Sequence, residues 1–478
     1  MTEPMTKRSA PAALTALAAA LLMAGCSFIP TYERPQAPVP QAYAAQAAGA
    51  SANAVPAAPV DWKDYFTDPR LQRLIEAALA NNRDLRVAAL NIEQARAQFQ
   101  IQRAAQFPSI GLGASASRAP NSAGKLTNTY SVGGILSSWE LDFWGRLDSL
   151  KEQALRQYLA TEEARKAVQI SLVANVANGW YTLMADEELL DISRRTLATR
   201  EESVKLTKMR FDVGAASELD YQQALSLTEA ARGTLAQQQR QRALDENALA
   251  LLLGQQLPQD VRASLTGSRL ADVPAMAAVP AGLPSDLLVR RPDVRQAEQQ
   301  LIAANANIGA ARAAFFPSIT LTAQAGTAST ELSGLFKSGS WAFTPTVSAL
   351  LPIFNAGRNQ AALESSKAGR DIALAQYEKA IQIAFREVSD ALAGQATLGE
   401  QVQAQQQQAQ AEAARLQLAD LRYRNGVASY LDLLDAQLSL FTAQQALVQV
   451  RLAQLQNQVS LYKALGGGAP DPGAQAPS

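Results

Sequence analysis

Residues 107–117, Phe-Pro-Ser-Ile-Gly-Leu-Gly-Ala-Ser-Ala-Ser, and residues 316–326, Phe-Pro-Ser-Ile-Thr-Leu-Thr-Ala-Gln-Ala-Gly, open on the same four residues and then alternate. In the first stretch Ile110, Leu112, Ala114 and Ala116 alternate with Gly111, Gly113, Ser115 and Ser117. In the second, Ile319, Leu321, Ala323 and Ala325 alternate with Thr320, Thr322, Gln324 and Gly326. Period two marks a β-strand with one apolar and one polar face. Partner strands are predicted over roughly 129–141 and 341–351, the latter with Trp341, Phe343, Val347, Ala349 and Leu351 on one side. Turn-forming residues Pro120-Asn121-Ser122-Ala123-Gly124 and Glu331-Leu332-Ser333-Gly334 make each pair a hairpin. Pro345 has no ladder donor, so a bulge or distortion is expected around it.

The two strand starts belong to a longer correspondence. Asp84-Leu85-Arg86 recurs as Asp293-Val294-Arg295 at the same offset of 209 as the Phe-Pro-Ser-Ile pair. Gly145-Arg146 and Gly357-Arg358, Gly214 and Gly426, Leu219-Asp220 and Leu431-Asp432, and Leu253-Gly254 and Leu465-Gly466 share an offset of 212. So many markers at one spacing imply a duplication, each half a structural unit. The expected domains are 61–290 and 291–466, with hairpins at about 110–141 and 319–353 and helical hairpins at 146–254 and 358–465; a linker ends the first half.

No proline occurs from Asn121 to Leu257 or from Ile353 to Ala469, and from Gly145 and Gly357 onward both stretches are rich in helix formers. Each reads as a helix, a turn at Gly214 or Gly426, and a returning helix. The outgoing helix from Arg146 to about Phe211 would run roughly 95 to 100 Å. Leu431, Leu434, Leu438, Phe441, Gln445, Val448, Leu452, Leu455, Val459 and Tyr462 step by 3 and 4, which is coiled-coil spacing. A second row, Leu433, Leu440, Leu447 and Leu461, lies on a neighbouring face, so each helix needs neighbours on both sides.

Composition removes most alternatives. The 478 residues hold 43 Lys+Arg and 43 Asp+Glu, so no net charge points to nucleic acid. Histidine is absent and Cys26 is the single cysteine, which excludes histidine triads, His or Cys zinc sites and disulfides. No phosphate loop or nucleophile elbow is present, and no enzyme activity or cofactor is expected.

Lys7 and Arg8 precede an Ala/Leu run ending in Leu22-Met23-Ala24-Gly25-Cys26, a secretory signal over 1–25. The small residues before Cys26 resemble a lipobox, which implies acylation of that thiol, and Ser27 after it implies delivery to the outer membrane. Residues 26–60, rich in Ala, Gln and Pro, read as an extended strap, and 467–478 as a disordered tail. Beyond Cys26 no run approaches the ~20 apolar residues of a spanning helix, so a membrane-spanning part must be β. Four strands cannot close a barrel, and open edges are not tolerated in hydrocarbon, so copies must pool strands. Two copies give 8 strands, nearly filled by side chains, and three give 12, with room for a water-filled bore.

The lipobox, the Phe-Pro-Ser-Ile doublet, Leu288-Val289-Arg290-Arg291-Pro292-Asp293, and Tyr423-Arg424-Asn425-Gly426-Val427 leading to Tyr430-Leu431-Asp432-Leu433-Leu434-Asp435-Ala436-Gln437 together resemble the outer membrane factor family, the TolC/OprM-like channels. Within it they are similar to the lipoprotein branch that serves resistance-nodulation-division pumps. The resemblance implies an α+β homotrimer with a 12-stranded barrel, a periplasmic α-barrel, and docking to an adaptor and an inner-membrane transporter. It makes Val213, Gly214, Ser217, Gly426, Val427 and Ser429 the adaptor-contacting tips. It makes Leu431 and Asp435 rings that close the periplasmic mouth, with Arg422, Tyr423 and Arg424 as further latch residues. Leu438 stands where the pattern often has a basic residue, which leaves the salt link between neighbouring helices without its usual donor. The first-half counterpart of Asp435 is Gln223, so the ring carries one set of acids.

The expected function is export of drugs or other small molecules through an outer-membrane duct. A type I protein-secretion duct would differ in its inner-membrane partner, and a non-conducting scaffold lipoprotein would use the coiled coils alone.

Overall fold

A computed structural model describes residues 27–40, 43, 61–277, 289 and 291–467. The signal, Cys26, most of the strap after position 40 and the tail beyond 467 lie outside the described residues. The chain forms two compact units, each assembled from separated segments: 1–36, 90–162 and 296–379 in the first, and 37–89, 163–295 and 380–478 in the second.

The first unit holds a four-stranded antiparallel sheet in sequence order. Its strands are β1 (Ile110–Pro120), β2 (Leu126–Leu141), β3 (Ser318–Ser329) and β4 (Trp341–Leu350). Directly opposed residues share a face, so the register reports both faces of the sheet. Leu112, Gly134, Ala325 and Phe343 form one row across the strands, and Ile110, Leu136, Ala323 and Pro345 the next. That face is apolar from Ile110 to Ala116 and across its partners from Val132 to Leu136, and turns polar only towards the outer end, at Arg118, Asn128, Thr327 and Ser329. Its side chains stand open: Leu112 is 87% exposed and Val347 65%. The other face carries Ser115, Ser131, Thr320, Thr322 and Gln324, with Ser115 and Ser131 hydroxyls 2.8 Å apart.

The expected distortion is displaced. β3 and β4 keep an unbroken register through Ala323 and Pro345. β4 ends the strand order, and on an edge strand a missing donor costs no ladder bond when it points outward. The irregularity falls in β2 instead, where Leu136 pairs with Ala323 and Trp139 with Leu321, with Ser138 at φ 46°. Three residues of β2 thus oppose two of β3. The extra residue keeps Trp139 and Leu141 on the apolar face, where strict alternation would turn them over.

Residues 27–34 of the strap lie along helix α7 (Pro292–Ala313). Phe28 stacks on Phe316 at 4.7 Å and the Asn305 amide donates to the Pro30 carbonyl at 2.7 Å. Arg34 meets Glu298 through two hydrogen bonds of 2.6 and 2.9 Å. Gly309 makes room: a Cβ there would come within 2.7 Å of Ile29.

The second unit contains the helical core. Helix α1 is Trp62–Tyr65, α2 Pro69–Asn81, α3 Arg83–Ala104, α4 Arg146–Asp212, α5 Glu218–Leu253 and α6 Gln259–Ala263; after α7 come α8 Arg358–Arg424 and α9 Tyr430–Ala464. Helices α4 and α8 have 67 residues each, about 100 Å. Of these, α4 is buried on most sides over 172–192, where Trp180, Tyr181, Leu183 and Met184 meet Leu71, Leu74 and Ile75 of α2 and Leu249 and Leu253 of α5. Tyr65 stacks on Tyr462 at 4.7 Å, and its hydroxyl donates to the Gln458 carbonyl at 2.9 Å. Buried Arg291 is compensated by Asp293 and Glu387, both at 2.7 Å, and by the Ala464 carbonyl at 2.9 Å. Among the described residues no helix is long and apolar enough to cross a membrane.

Candidate functional site

The two helical hairpins turn by the same local chemistry. After α4, Gly214 takes φ 76° and donates to the Phe211 carbonyl at 2.9 Å; after α8, Gly426 takes φ 71° and donates to the Tyr423 carbonyl at 3.0 Å. Left-handed backbone here suits glycine because it has no Cβ to clash. Each returning helix then begins on a capping box. The Ser217 hydroxyl accepts from the Asp220 amide at 3.1 Å while the Asp220 carboxylate accepts from the Ser217 amide at 3.2 Å. Ser429 and Asp432 repeat this at 3.2 and 3.1 Å. Ser429's hydrogen bonds, aided by the fields of Arg422 and Arg415, hold the Asp432 carboxyl below its ordinary value.

The turns leave an apolar fringe at the tips. Val213 is 77% exposed and Val427 68%, and Leu219 and Leu431 are each 66% exposed. The sequence-predicted tip residues thus cluster at two similarly built turns. Beneath them Ala224, Tyr423, Tyr430, Leu433 and Leu434 form a small core, with the Arg210 guanidinium 4.7 Å from the centre of the Tyr423 ring.

The proposed latch residues separate. Leu431, Asp435 and Leu438 lie exposed on one face of α9, at i, i+4 and i+7. Tyr423 does not join them: it is 7% exposed and packs on Tyr430 at 5.4 Å between ring centres. Arg424 is held by Asp420 at 2.8 Å on its own helix, and Arg422 makes no ion pair among the described residues. An apolar ring and the Arg210 cation draw Tyr423 into the core, a pull that linear proximity to Asp435 could not reveal.

Arg415 supplies the cation that sequence reasoning did not find. It pairs with Asp435 across the hairpin and also donates to the Ser439 hydroxyl at 3.3 Å and the Glu412 carboxylate at 3.2 Å. Hydrogen bonding to Asp435 and then to Glu412 raises the Arg415 pKa. A helix folded back about Gly426 places roughly 411–419 beside Asp435, and Arg415 is the cation in that window. That fold-back was the available signal.

A family model described as outer membrane efflux protein matches residues 74–255 and 283–467. The chain is 48% identical over 475 residues to the toluene efflux pump outer membrane protein TtgC of Pseudomonas putida, covering 97% of this chain and 96% of that one. It is 43% identical to the outer membrane protein OprJ of Pseudomonas aeruginosa, covering 95% of each. Among solved structures it resembles the open state of the Neisseria gonorrhoeae MtrE outer membrane channel, with a TM-score of 0.82 and 39% identity over 93% of this chain and 98% of that one. The chain therefore belongs to the outer membrane efflux protein family and is an outer-membrane efflux channel subunit.

Proposed function

We propose that the chain is a lipid-anchored subunit of a homotrimeric duct that carries drugs or other small molecules out of a tripartite pump. The observation that carries this is the sheet: four strands with two open margins and one exposed face with an apolar band across all four strands. Such a sheet satisfies its backbone in lipid only by joining others, and three copies give 12 strands around a bore wide enough for water. The two family-model matches, and the pairing of α4 with α8 and β1 with β3, support a duplicated unit. Helical hairpins from the copies form the periplasmic tube, and the exposed valines and leucines at the tips dock a periplasmic adaptor that leads to an inner-membrane transporter. Cys26 carries the lipid. The relatives' names, toluene and antibiotic efflux pump proteins, fit small organic cargo.

Leu431 and Asp435 narrow the periplasmic mouth, each as a ring of three. An apolar ring resists wetting and a carboxylate ring favours cations. The Arg415 pair braces Asp435 from the same subunit, in place of the cation that Leu438 lacks. Purified channel in planar bilayers tests this: Leu431→Ser and Asp435→Ala should each raise single-channel conductance, and Asp435→Ala should weaken cation preference. Unaltered conductance and selectivity in both variants would remove the gate assignment, and a protein that stayed monomeric in detergent would remove the duct.

A further inference from the structure

Arg200 on α4 is 6% exposed, yet among the described residues no carboxylate meets it. Its Nη1 donates to the Leu227 carbonyl at 3.3 Å, and its Nε has no partner. A guanidinium does not shed its proton at any pH a cell offers, so burial leaves a charge that still needs an anion or water. Desolvation lowers its pKa, with Tyr430 a partial offset.

Two cavities open at this side chain. One, of about 140 Å³, is lined by Thr196, Arg200, Leu227 and Phe441 among others. The second, of about 150 Å³, shares Thr196, Arg200 and Phe441 and adds Arg195, Leu416 and Gln437. Each has room for a small ion with part of its hydration shell. No Asp or Glu lines either one. Arg195 adds positive charge but is already matched by Asp191 at 3.0 Å.

Gln437, which lines the second cavity, is another buried side chain with unmet hydrogen-bonding capacity. It is 8% exposed, its Oε1 has no partner, and its Nε2 holds only a 3.5 Å contact to the Ser203 hydroxyl. Turning the amide by 180° gives up that contact and presents two donors.

We propose that Arg200 anchors a binding site for a small monovalent anion, of chloride or short-carboxylate size, with Gln437 and Thr196 as the further donors. Arg200 and Thr196 come from α4, whereas Gln437 and Phe441 come from α9, so a bound anion ties the first helical hairpin to the second. The site needs no assumption about the mouth, since it rests on a buried cation that lines two cavities.

Crystals of the detergent-solubilised channel grown with bromide in place of chloride test it directly. Anomalous density should appear at hydrogen-bonding distance from the Arg200 guanidinium, and be absent in Arg200→Met. In solution, hydrogen exchange of amides over 193–207 and 434–441 should slow about ten-fold in bromide at ten times its dissociation constant, relative to gluconate at equal ionic strength. Arg200→Met should abolish that ratio and Arg200→Lys keep part of it. Wild-type crystals without bromide at Arg200, or an Arg200→Met protein with the wild-type anion response, would overturn the proposal. If Arg200→Met does not fold, the wild-type density alone decides.

Discussion

Lysine placed at Val347 and at Thr346 distinguishes a lipid-facing sheet from one that merely covers water-soluble helices. The two residues are neighbours near the middle of β4, both exposed, with Val347 opposite Leu321 on the apolar face and Thr346 opposite Thr322 on the polar face. If both faces met water, each substitution would stay within about 0.5 kcal/mol, as exposed sites usually do. If the Val347 face meets hydrocarbon, Val347→Lys costs about 2–4 kcal/mol per subunit and Thr346→Lys close to nothing. That difference is a factor of about 30 to 900 in the folding equilibrium of each subunit. Denaturant unfolding of protein reconstituted in phospholipid vesicles measures it, with conductance of Thr346→Lys as a second reading of a wet lumen. Equal effects at the two positions, or a larger one at Thr346, would refute the assignment of the faces.

Three further outcomes follow from the helical unit. Trp180 is wholly buried, so Trp180→Ala should lose about 3–5 kcal/mol, seen as a lower denaturant midpoint. Ser429→Ala removes the cap of α9 at about 1 kcal/mol, and first-turn amides of α9 should exchange roughly five-fold faster with little change in global unfolding. Burial, then the Asp245 carboxyl, push Asp186 up to about 8 against a smaller opposing pull from Arg242. Between the ordinary carboxylate range and that value the folded chain holds a proton that the unfolded chain has released, so stability should fall as pH rises from about 4 to 8. Asp186→Asn should flatten that slope and raise the melting temperature by a few degrees at pH 7.5; an unchanged slope would remove Asp186 as its source.

Much of this fold was legible because its periods are long and uninterrupted. Alternation from Ile110 and from Ile319 located β1 and β3, and the proline-free stretches located α4, α5, α8 and α9 within a few residues. Gly214 and Gly426, each followed by serine three residues later, marked both turns and both caps. Irregularity was less readable. Sequence placed the sheet's distortion at Pro345, although β4 keeps its register with β3 through that proline, and missed Ser138, whose positive φ falls at the register shift with β3. Side-chain partners across a hairpin were also hidden. Asp435 came from the family resemblance, but Arg415 lies 20 residues earlier and meets it only when the chain folds back. The burial of Tyr423 and of Arg200 depends on neighbours drawn from both hairpins, which no local pattern contains.

The extra residue in β2 has a consequence for how the sheet can assemble. On one side of it odd and even positions carry one assignment of inside and outside, and on the other side the assignment is reversed. Paired without that extra residue, the strand would keep one segment the right way out and turn the other over. The kink acts as an index notch: with it in place Val132 and Leu136 on one side and Trp139 and Leu141 on the other all face the same way.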